Sequence, residues 1–306
     1  MFMAGSKKVR DGVCKVDPAA CKTRRVTKLG KARANANKII AMDLGGTNIR
    51  IALIENRKIL KYWKEKTPKT SLGIKTKIME LVEDYMSKEV KGIAIASPGP
   101  LMGGTIKNPP NLPLRNYNLK DALQKKFKVP AEVKNDADCV AFAELKLGCK
   151  RKNFILLTLG TGIGGGIIMN GQLYRGEGYA GELGHIILDH GEDFEDLAAS
   201  KRLAEVTTKA FGEPKLFFEL MKMKDPKAKK ILNQFTEYYG QGIASLIHCF
   251  DPEAVILAGG IKETGERFLN MIRKHSQKYF ELPKKTPIRW SKLKHPGVMG
   301  ASLYFE

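Results

Sequence analysis

The residues of this chain best suited to chemistry gather around its glycines. Residues 158–168 read TLGTGIGGGII: a strand-like run over 154–158 breaks into a glycine cluster and resumes as a second apolar run over 167–169. Glycine has no Cβ, accepts positive φ, and lets neighbouring backbone N–H groups turn toward one point. A turn made of Gly160, Thr161, Gly162, Gly164, Gly165 and Gly166 between strands is therefore a cradle for an anion such as phosphate. An ordinary bulged hairpin would use the same glycines. A second stretch favours the cradle. Residues 39–48, IIAMDLGGTN, are again a buried-strand run, ending in Asp43 and a Gly45-Gly46-Thr47 turn. Two such turns, furnished with hydroxyls and a carboxylate, read as a nucleotide clamp.

A length of 306 residues suits about two domains, each able to bury its own core. No apolar run approaches the roughly 20 residues that span a bilayer. The opening MFMAGSKKVRDG lacks the apolar stretch of a secretory signal, so a cytoplasmic setting is expected. The five cysteines (Cys14, Cys21, Cys139, Cys149 and Cys249) are scattered and odd in number, which fits reduced thiols better than a disulfide framework. The net charge is +21, of which residues 1–38 carry +9 and the remainder +12. Such an excess attracts nucleotides, polyphosphate, nucleic acid or a membrane surface without choosing among them. Most of it reads as lysine-rich solvated surface. Residues 1–37 show no sustained apolar periodicity and read as a flexible basic tail, making at most non-specific contacts with nucleic acid. Cys14 and Cys21 have no partnering histidines, which argues against a metal knuckle.

The groups need elements to hold them. Strands are expected over 49–55 and 59–64 around an Asn56-Arg57 turn, then a helix with apolar residues at 74, 78, 81, 82 and 85 on one face. Residues 90–96 read as a buried strand stopped by Ser97-Pro98-Gly99-Pro100, and 106–116 as a proline- and asparagine-rich loop. Asn118 can cap a short amphipathic helix, and 131–134 form a brief strand. Asn135-Asp136 stands at the mouth of a helix over 137–147 that Gly148 ends. Asn170-Gly171 is a favoured two-residue turn. A helix is expected from near Phe194 past Ser200 and a longer one over about 228–249. A buried strand over 254–258 feeds Gly259-Gly260. Alternation on this scale argues for an α/β architecture. The two glycine hairpins read as the openings of two related lobes.

Taken in order, DLGGTN (43–48), SPGP (97–100), NDADCVAFAE (135–144), TLGTGIGGGI (158–167), GELGH (181–185), LAGGI (257–261) and GAS (300–302) resemble the ROK family of sugar kinases and sugar-responsive repressors. Each segment is short and unspecific alone; the ordered set is specific. The resemblance runs from about Lys38 to the C-terminus and, within the family, looks most like a glucokinase-like hexose kinase. It implies a two-lobed, actin-like, ribonuclease-H-like ATPase fold with sugar and nucleotide meeting between the lobes. The expected organisation is a tail (1–37), a small N-terminal lobe (38–134) with the C-terminal helix (298–306) packed back on it, and a large lobe (135–297).

Moving a γ-phosphoryl group to a sugar hydroxyl needs a phosphate cradle, a divalent cation and a base at the attacking hydroxyl. Gly45, Gly46, Thr47, Thr161, Gly162 and Gly164 supply the cradle, and Gly259 and Gly260, with Gly300, mark the adenine slot. Asp43 is placed to hold Mg²⁺ through water; capping the turn amides is its alternative role. The resemblance makes Asp136 the base facing the primary hydroxyl, where a simple N-cap is the alternative. It also makes Asn111, Asn135, Asp136, Glu182, His185 and Glu195 the sugar ligands. Glu182 and His185 stand three residues apart, close enough to serve one ring. Asp196 takes the place of Glu195 if the correspondence slips by one residue, and His185 alone would more commonly be a structural histidine.

Two departures matter. Many members of the family carry a CxCGxxGC zinc module after GExGH, whereas this chain has LDHGEDFEDLAAS, without a cysteine. Zinc bound in the usual way is ruled out by ligand chemistry, and something else must stiffen that loop. The repressor branch adds a winged-helix domain ahead of the kinase-like body, and residues 1–37 are too short and aperiodic for one. The expectation is thus an ATP- and Mg²⁺-dependent hexose kinase. Polyphosphate as donor, N-acetylmannosamine as acceptor, and a repressor without catalysis are the alternatives. Relatives are often dimers, but no stretch here reads as an interface.

Overall fold

Strand-like runs without polar alternation belong to sheets covered on both faces, and two such sheets form the body of the protein. The computed structural model describes residues 37–109, 111–283 and 285–306; the tail expected over residues 1–37 lies, but for Asn37, outside them. In the first sheet, β1 (Lys38–Leu44) pairs antiparallel with β2 (Asn48–Glu55), which pairs antiparallel with β3 (Lys58–Lys66). On its other side β1 pairs parallel with β4 (Val90–Ser97), and β4 with β8 (Ala131–Asn135). The second sheet is built the same way. Its first strand, β9 (Phe154–Leu159), is antiparallel to β10 (Ile163–Met169), which carries β11 (Gln172–Tyr174) outside it. Across β9 lie parallel β14 (Ala254–Ala258) and β15 (Ile288–Trp290). Counted within each sheet, the order is third, second, first, fourth, fifth strand in both. The repeat that the glycine hairpins announce is therefore a repeat of the whole sheet.

Alternate residues of each central strand face different layers. In the first sheet Ile40, Met42 and Leu44 pack with Ile74 and Ile78 of α1 (Ser71–Tyr85) and Leu119 and Leu123 of α2 (Leu119–Phe127). Ile39 and Ala41 face the other way, onto Val298, Met299 and Ala301 of α9 (Pro296–Ser302). In the second sheet Phe154 and Leu156 meet Val140 and Ala141 of α3 (Asp136–Ala143). Ile155, Leu157 and Leu159 pack into the largest core, with α4 (Phe194–Ala198), α5 (Ser200–Phe211), α6 (Phe217–Leu220), α7 (Pro226–Phe250) and α8 (Gly265–Gln277). Helices α3 and α9 meet between the two sheets. A Cβ on Gly300 would lie 1.7 Å from the Cys139 carbonyl oxygen, so the two backbones touch there. Gly300 is thus a helix-crossing residue and not part of the adenine slot expected for it.

Short ribbons complete the fold: β5 (Leu101–Met102), β6 (Thr105–Ile106) and β7 (Tyr117–Asn118) after the SPGP turn, and β12 (Ile187–Asp189) with β13 (Glu192–Asp193) after GELGH. Helix α2 begins where Asn118 accepts from the Asp121 amide at 3.0 Å. Helix α7 starts two residues before position 228, because Asp225 caps it and Pro226 suits a first helical turn. The helix expected over 137–147 keeps α form only to Ala143. From Glu144 to Gly148 it widens into a π turn, closed by the Cys149 amide on the Glu144 carbonyl. There the Glu144 carboxylate is buried and bonded to Ser291. The helix expected to run from Phe194 past Ser200 breaks at Ala199, whose extended backbone separates α4 from α5. Among the described residues no helix is long and apolar enough to cross a membrane.

Candidate active site

The first hairpin turn is tied at both ends. The Gly45 amide donates to the Asn48 carbonyl at 3.0 Å, and the Thr67 hydroxyl and amide reach the carbonyls of Gly45 (2.5 Å) and Thr47 (3.0 Å). Thr67 is buried and was not foreseen from the sequence; nothing in its neighbourhood announces it. Gly46 lies flat against Asn111, whose carbonyl oxygen is 2.8 Å from where a Cβ would stand. Two residues before the turn, Asp43 faces Arg50 across the β1–β2 ladder, and Arg50 Nη1 donates to Asp43 Oδ2 at 2.9 Å. Burial raises the Asp43 carboxyl while Arg50 opposes that shift. Helix α9 comes down on this carboxylate through Gly297, where a Cβ would stand 2.9 Å from Asp43 Cγ.

The second turn is narrower than the sequence promised. It comprises residues 160–162, since Leu159 pairs with Ile163; Gly164, Gly165 and Gly166 are strand residues of β10. Their missing side chains make room for neighbours. A Cβ on Gly164 would stand 3.1 Å from Ala137 Cβ, one on Gly166 2.5 Å from Ala141 Cβ, and one on Gly165 2.7 Å from Leu183 Cγ. The turn is strapped from the α4–α5 break: the Ser200 and Lys201 amides donate to the carbonyls of Gly160 (3.0 Å) and Thr161 (3.4 Å). Glu195 Oε2 accepts from the Ile163 amide at 2.6 Å. Alongside, Gly259 takes positive φ (95°) and packs on the Leu159 carbonyl, at the adjacent parallel strand end. Around Gly160 and Gly260 an added Cβ would meet nothing within 4 Å, so these two backbone positions face open space.

Helix α3 starts between the hairpins. Asn135 is its cap, Oδ1 accepting from the Asp138 amide at 3.0 Å. Asp136 is thereby spared that duty, its Oδ1 taking the adjacent Ala137 amide at 2.9 Å. Part of Asp136 remains accessible, but dense protein around its carboxyl pushes the pKa up to about 7, with the charges of Asp43 and Glu182 adding to the rise. Asp43 of β1 and Glu182, just ahead of the turn at 183–185, thus both stand within electrostatic reach of one carboxyl.

The sugar-side candidates follow on the GELGH turn. Residues 183–185 form a single 3₁₀ turn, in which positions three apart eclipse, so Glu182 and His185 share a side. Both are exposed. His185 Nδ1 lies 2.7 Å from Asp193 Oδ2, and this bond, helped by the charges of Glu195 and Glu182, raises the imidazole pKa. Asp196 donates its amide to Asp193 Oδ1, while Glu195 is the residue that reaches the second turn.

Four of the expected site residues border two recesses. One, of about 220 Å³, holds Asn135 and Glu182 on its wall, with Gly99, Lys134, Asp138, Arg175 and Tyr179. The other, of about 140 Å³, is lined by Thr161 and Glu195 with Lys201 and Arg202. Asp136, Asp43, Asn111 and His185 line neither, nor do Gly45, Gly46, Thr47, Gly162, Gly164, Gly259 and Gly260. Asp138 and Arg175, 3.1 Å apart, and Arg50 are neighbours that the sequence reading passed over. Only Arg50 had a signal, its place opposite Asp43 once the hairpin register is counted. Among the described residues no three His, Cys, Asp or Glu side chains converge as a metal cage.

With this geometry in hand, likeness to known proteins becomes informative. Over 281 residues the chain is 30% identical to a glucokinase of Halalkalibacterium halodurans, covering 78% of this chain and 85% of that protein. Over 261 residues it is 28% identical to an N-acetylmannosamine kinase of Haemophilus influenzae, covering 79% and 86%. The crystal structure of a ROK family glucokinase from Streptomyces griseus in complex with glucose and AMPPNP superposes with a TM-score of 0.78 at 28% identity, covering 87% of this chain and 99% of that one. Its relatives' two-lobed, actin-like and ribonuclease-H-like architecture is the one built here from two like sheets. Residues 39–306 match the ROK family, and the chain belongs to it.

Proposed function

We propose that this protein is an ATP-dependent hexose kinase, glucokinase-like, transferring the γ-phosphoryl group to the 6-hydroxyl of a hexose with Asp136 as base. The observation that carries this reading is the Asp136 carboxyl at the start of a helix that Asn135 caps, raised to about 7 by burial first and then by the charges of Asp43 and Glu182. A base matched to working pH removes a hydroxyl proton more readily than an ordinary carboxylate. In this reading the lobes are 38–134 with 298–306, and 135–297. Asn111, Asn135, Glu182, His185 and Glu195 bind the hexose hydroxyls. An acceptor that the bound sugar covers and the wrong epimer leaves unpaired then sets selectivity.

Gly45, Gly46, Thr47, Thr161 and Gly162 cradle the phosphates. The open positions at Gly160 and Gly260 fit a nucleotide lying along the ends of β9 and β14. Gly164 acts through its absent side chain, seating the start of α3 beside the turn. Mg²⁺ keeps most of its waters and rests on one or two carboxylates plus phosphate oxygens. Asp43 is the residue to hold it, and the ion, when bound, neutralises phosphate charge. The similarity to a glucokinase crystallised with glucose and AMPPNP supports ATP as donor.

The test is Asp136→Asn in a coupled assay over glucose, mannose, fructose, allose and the N-acetylhexosamines, with ATP or polyphosphate as donor at two salt concentrations. Turnover should fall about 10³-fold with the fold retained. Near wild-type turnover in a folded variant would remove Asp136 from the mechanism. A preference for N-acetylmannosamine or polyphosphate would replace the substrate assignment and leave the base in place.

A further inference from the structure

The loop that follows GELGH has no cysteine, yet its own side chains order it. Ile187 and Asp189 pair with Asp193 and Glu192 around a two-residue turn, His190-Gly191, both with positive φ (39° and 89°). The hairpin delivers Asp193, whose side chain is only 16% exposed, to a position where its two oxygens do different work. Oδ1 accepts from the Asp196 amide at 2.7 Å and so starts α4, the helix that carries Glu195. Oδ2 lies 2.7 Å from His185 Nδ1. Glu195 in turn accepts from the Ile163 amide beside the second glycine turn.

We infer that Asp193 is a positioning residue: one forked carboxylate orders His185 and Glu195 together, doing without metal what this loop needs. The inference takes from the kinase reading only that these two side chains meet the hexose. An ionised carboxylate can only accept, so the proton on Nδ1 is set by Asp193, and Nε2 becomes the ring atom presented to a ligand. Outer partners of this kind fix both the tautomer and the plane of an imidazole. The other ionisable groups acting on the ring are Glu182, at the start of its own turn, and Glu195, on α4; the raised imidazole pKa reflects all three, Asp193 first. The same fork links the sugar side to the phosphate side through a helix of 5 residues. Displacing Asp193 would loosen both.

Asp193→Asn separates positioning from capping, because asparagine is an equally good N-cap but carries no charge for the imidazole. In the full chain, with His185→Gln used to assign the ring signal, the His185 titration seen by NMR should fall toward the ordinary imidazole value. The hexose KM should rise roughly 10-fold, with kcat changed far less. The Tm of Asp193→Asn should match wild type, whereas Asp193→Ala should lower it as well. Chelator should move neither the His185 titration nor the Tm of the wild-type protein. An unmoved His185 titration and hexose KM in a normally stable Asp193→Asn protein would reduce Asp193 to a cap and overturn the inference. So would a chelator-dependent shift, which would mean a metal holds the loop. Should wild type phosphorylate no hexose, the kinase reading falls, and the His185 titration still decides for or against Asp193.

Discussion

The two glycine hairpins occupy the same place in two sheets of the same strand order, and they solve one crowding problem from opposite sides. In each, the last ladder pair before the turn is apolar: Leu44 with Ile49, and Leu159 with Ile163. The pair just inside it differs. The first hairpin has Asp43 opposite Arg50, the second Thr158 opposite Gly164. Both must let a central helix approach. In the first hairpin the strand keeps its carboxylate and the helix gives up its side chain, at Gly297. In the second the strand gives up its side chain, at Gly164, and the helix keeps the alanine that follows Asp136. Charge sits on the strand beside the first hairpin and at the helix start beside the second, and a glycine makes the room at each, Gly297 against Asp43 and Gly164 against Thr158 and Ala137. A duplicated scaffold can carry unlike groups at like positions if the vacant volume changes sides.

That asymmetry breaks first at the carboxylate. Asp43→Asn should lower kcat about 100-fold, while Thr158→Val, at the matching place, should cost less than about 3-fold. Equal losses in a steady-state assay would mean that the two positions do the same work. The pH profile sharpens the link between the hairpins. With the base held at about 7, kcat/KM should climb about 10-fold per pH unit up to that point and level off above it. In Asp43→Asn the midpoint should move down, because one source of negative charge is gone. The sign for folding is opposite. Asp136 binds its proton more tightly in the native state than at its ordinary value of 3.8, so its share of stability is complete below that value and lost as pH rises through about 7. Asp136→Asn should flatten the dependence of Tm on pH in that window.

Packing gives the next effect in size. Gly166→Leu drives a side chain into Ala141 and should cost about 1–3 kcal/mol in a denaturant melt, with kcat falling as α3 shifts. Gly171→Ala, at an open hairpin tip with positive φ, should cost about 1 kcal/mol and leave kcat alone. A milder effect than that of Gly166→Leu in a combined melt-and-rate comparison is the expected mark of a glycine kept for its backbone rather than its vacancy. The smallest effect belongs to the strap of the first turn. Thr67→Val removes the hydroxyl bond to Gly45 and should raise the nucleotide KM a few-fold, about 1 kcal/mol, without touching the hexose KM. A change in the hexose KM of equal size would show that the first turn is not dedicated to one substrate.

Much of the scaffold was legible from the residues. Periodicity identified the helix carrying Ile74, Ile78 and Leu81, and turn chemistry identified Asn56-Arg57 and Asn170-Gly171, all of them with positive φ in the structure. Asn135 as the cap that releases Asp136 was likewise foreseeable, because capping is local chemistry. The misreadings share a cause. Gly164, Gly165 and Gly166 look like more of the same turn in sequence, and only the β9–β10 register turns them into a seat for α3 and Leu183. Gly300 reads as part of a nucleotide slot until α3 is seen to cross it. The break at Ala199 has no local breaker; it exists because the Ser200 and Lys201 amides are drawn to the second turn.

By itself, then, the sequence determined the central strands, the turns at Asn56-Arg57 and Asn170-Gly171 and the set of ionisable groups, since these depend on side-chain period and on φ preferences within a few residues. Tertiary structure alone decided which of those groups share a partner. Thr67 with Gly45 and Asp193 with His185 are set by the approach of separate segments. A one-residue slip of β1 against β2 would turn Asp43 to the opposite face and leave the local pattern almost unchanged.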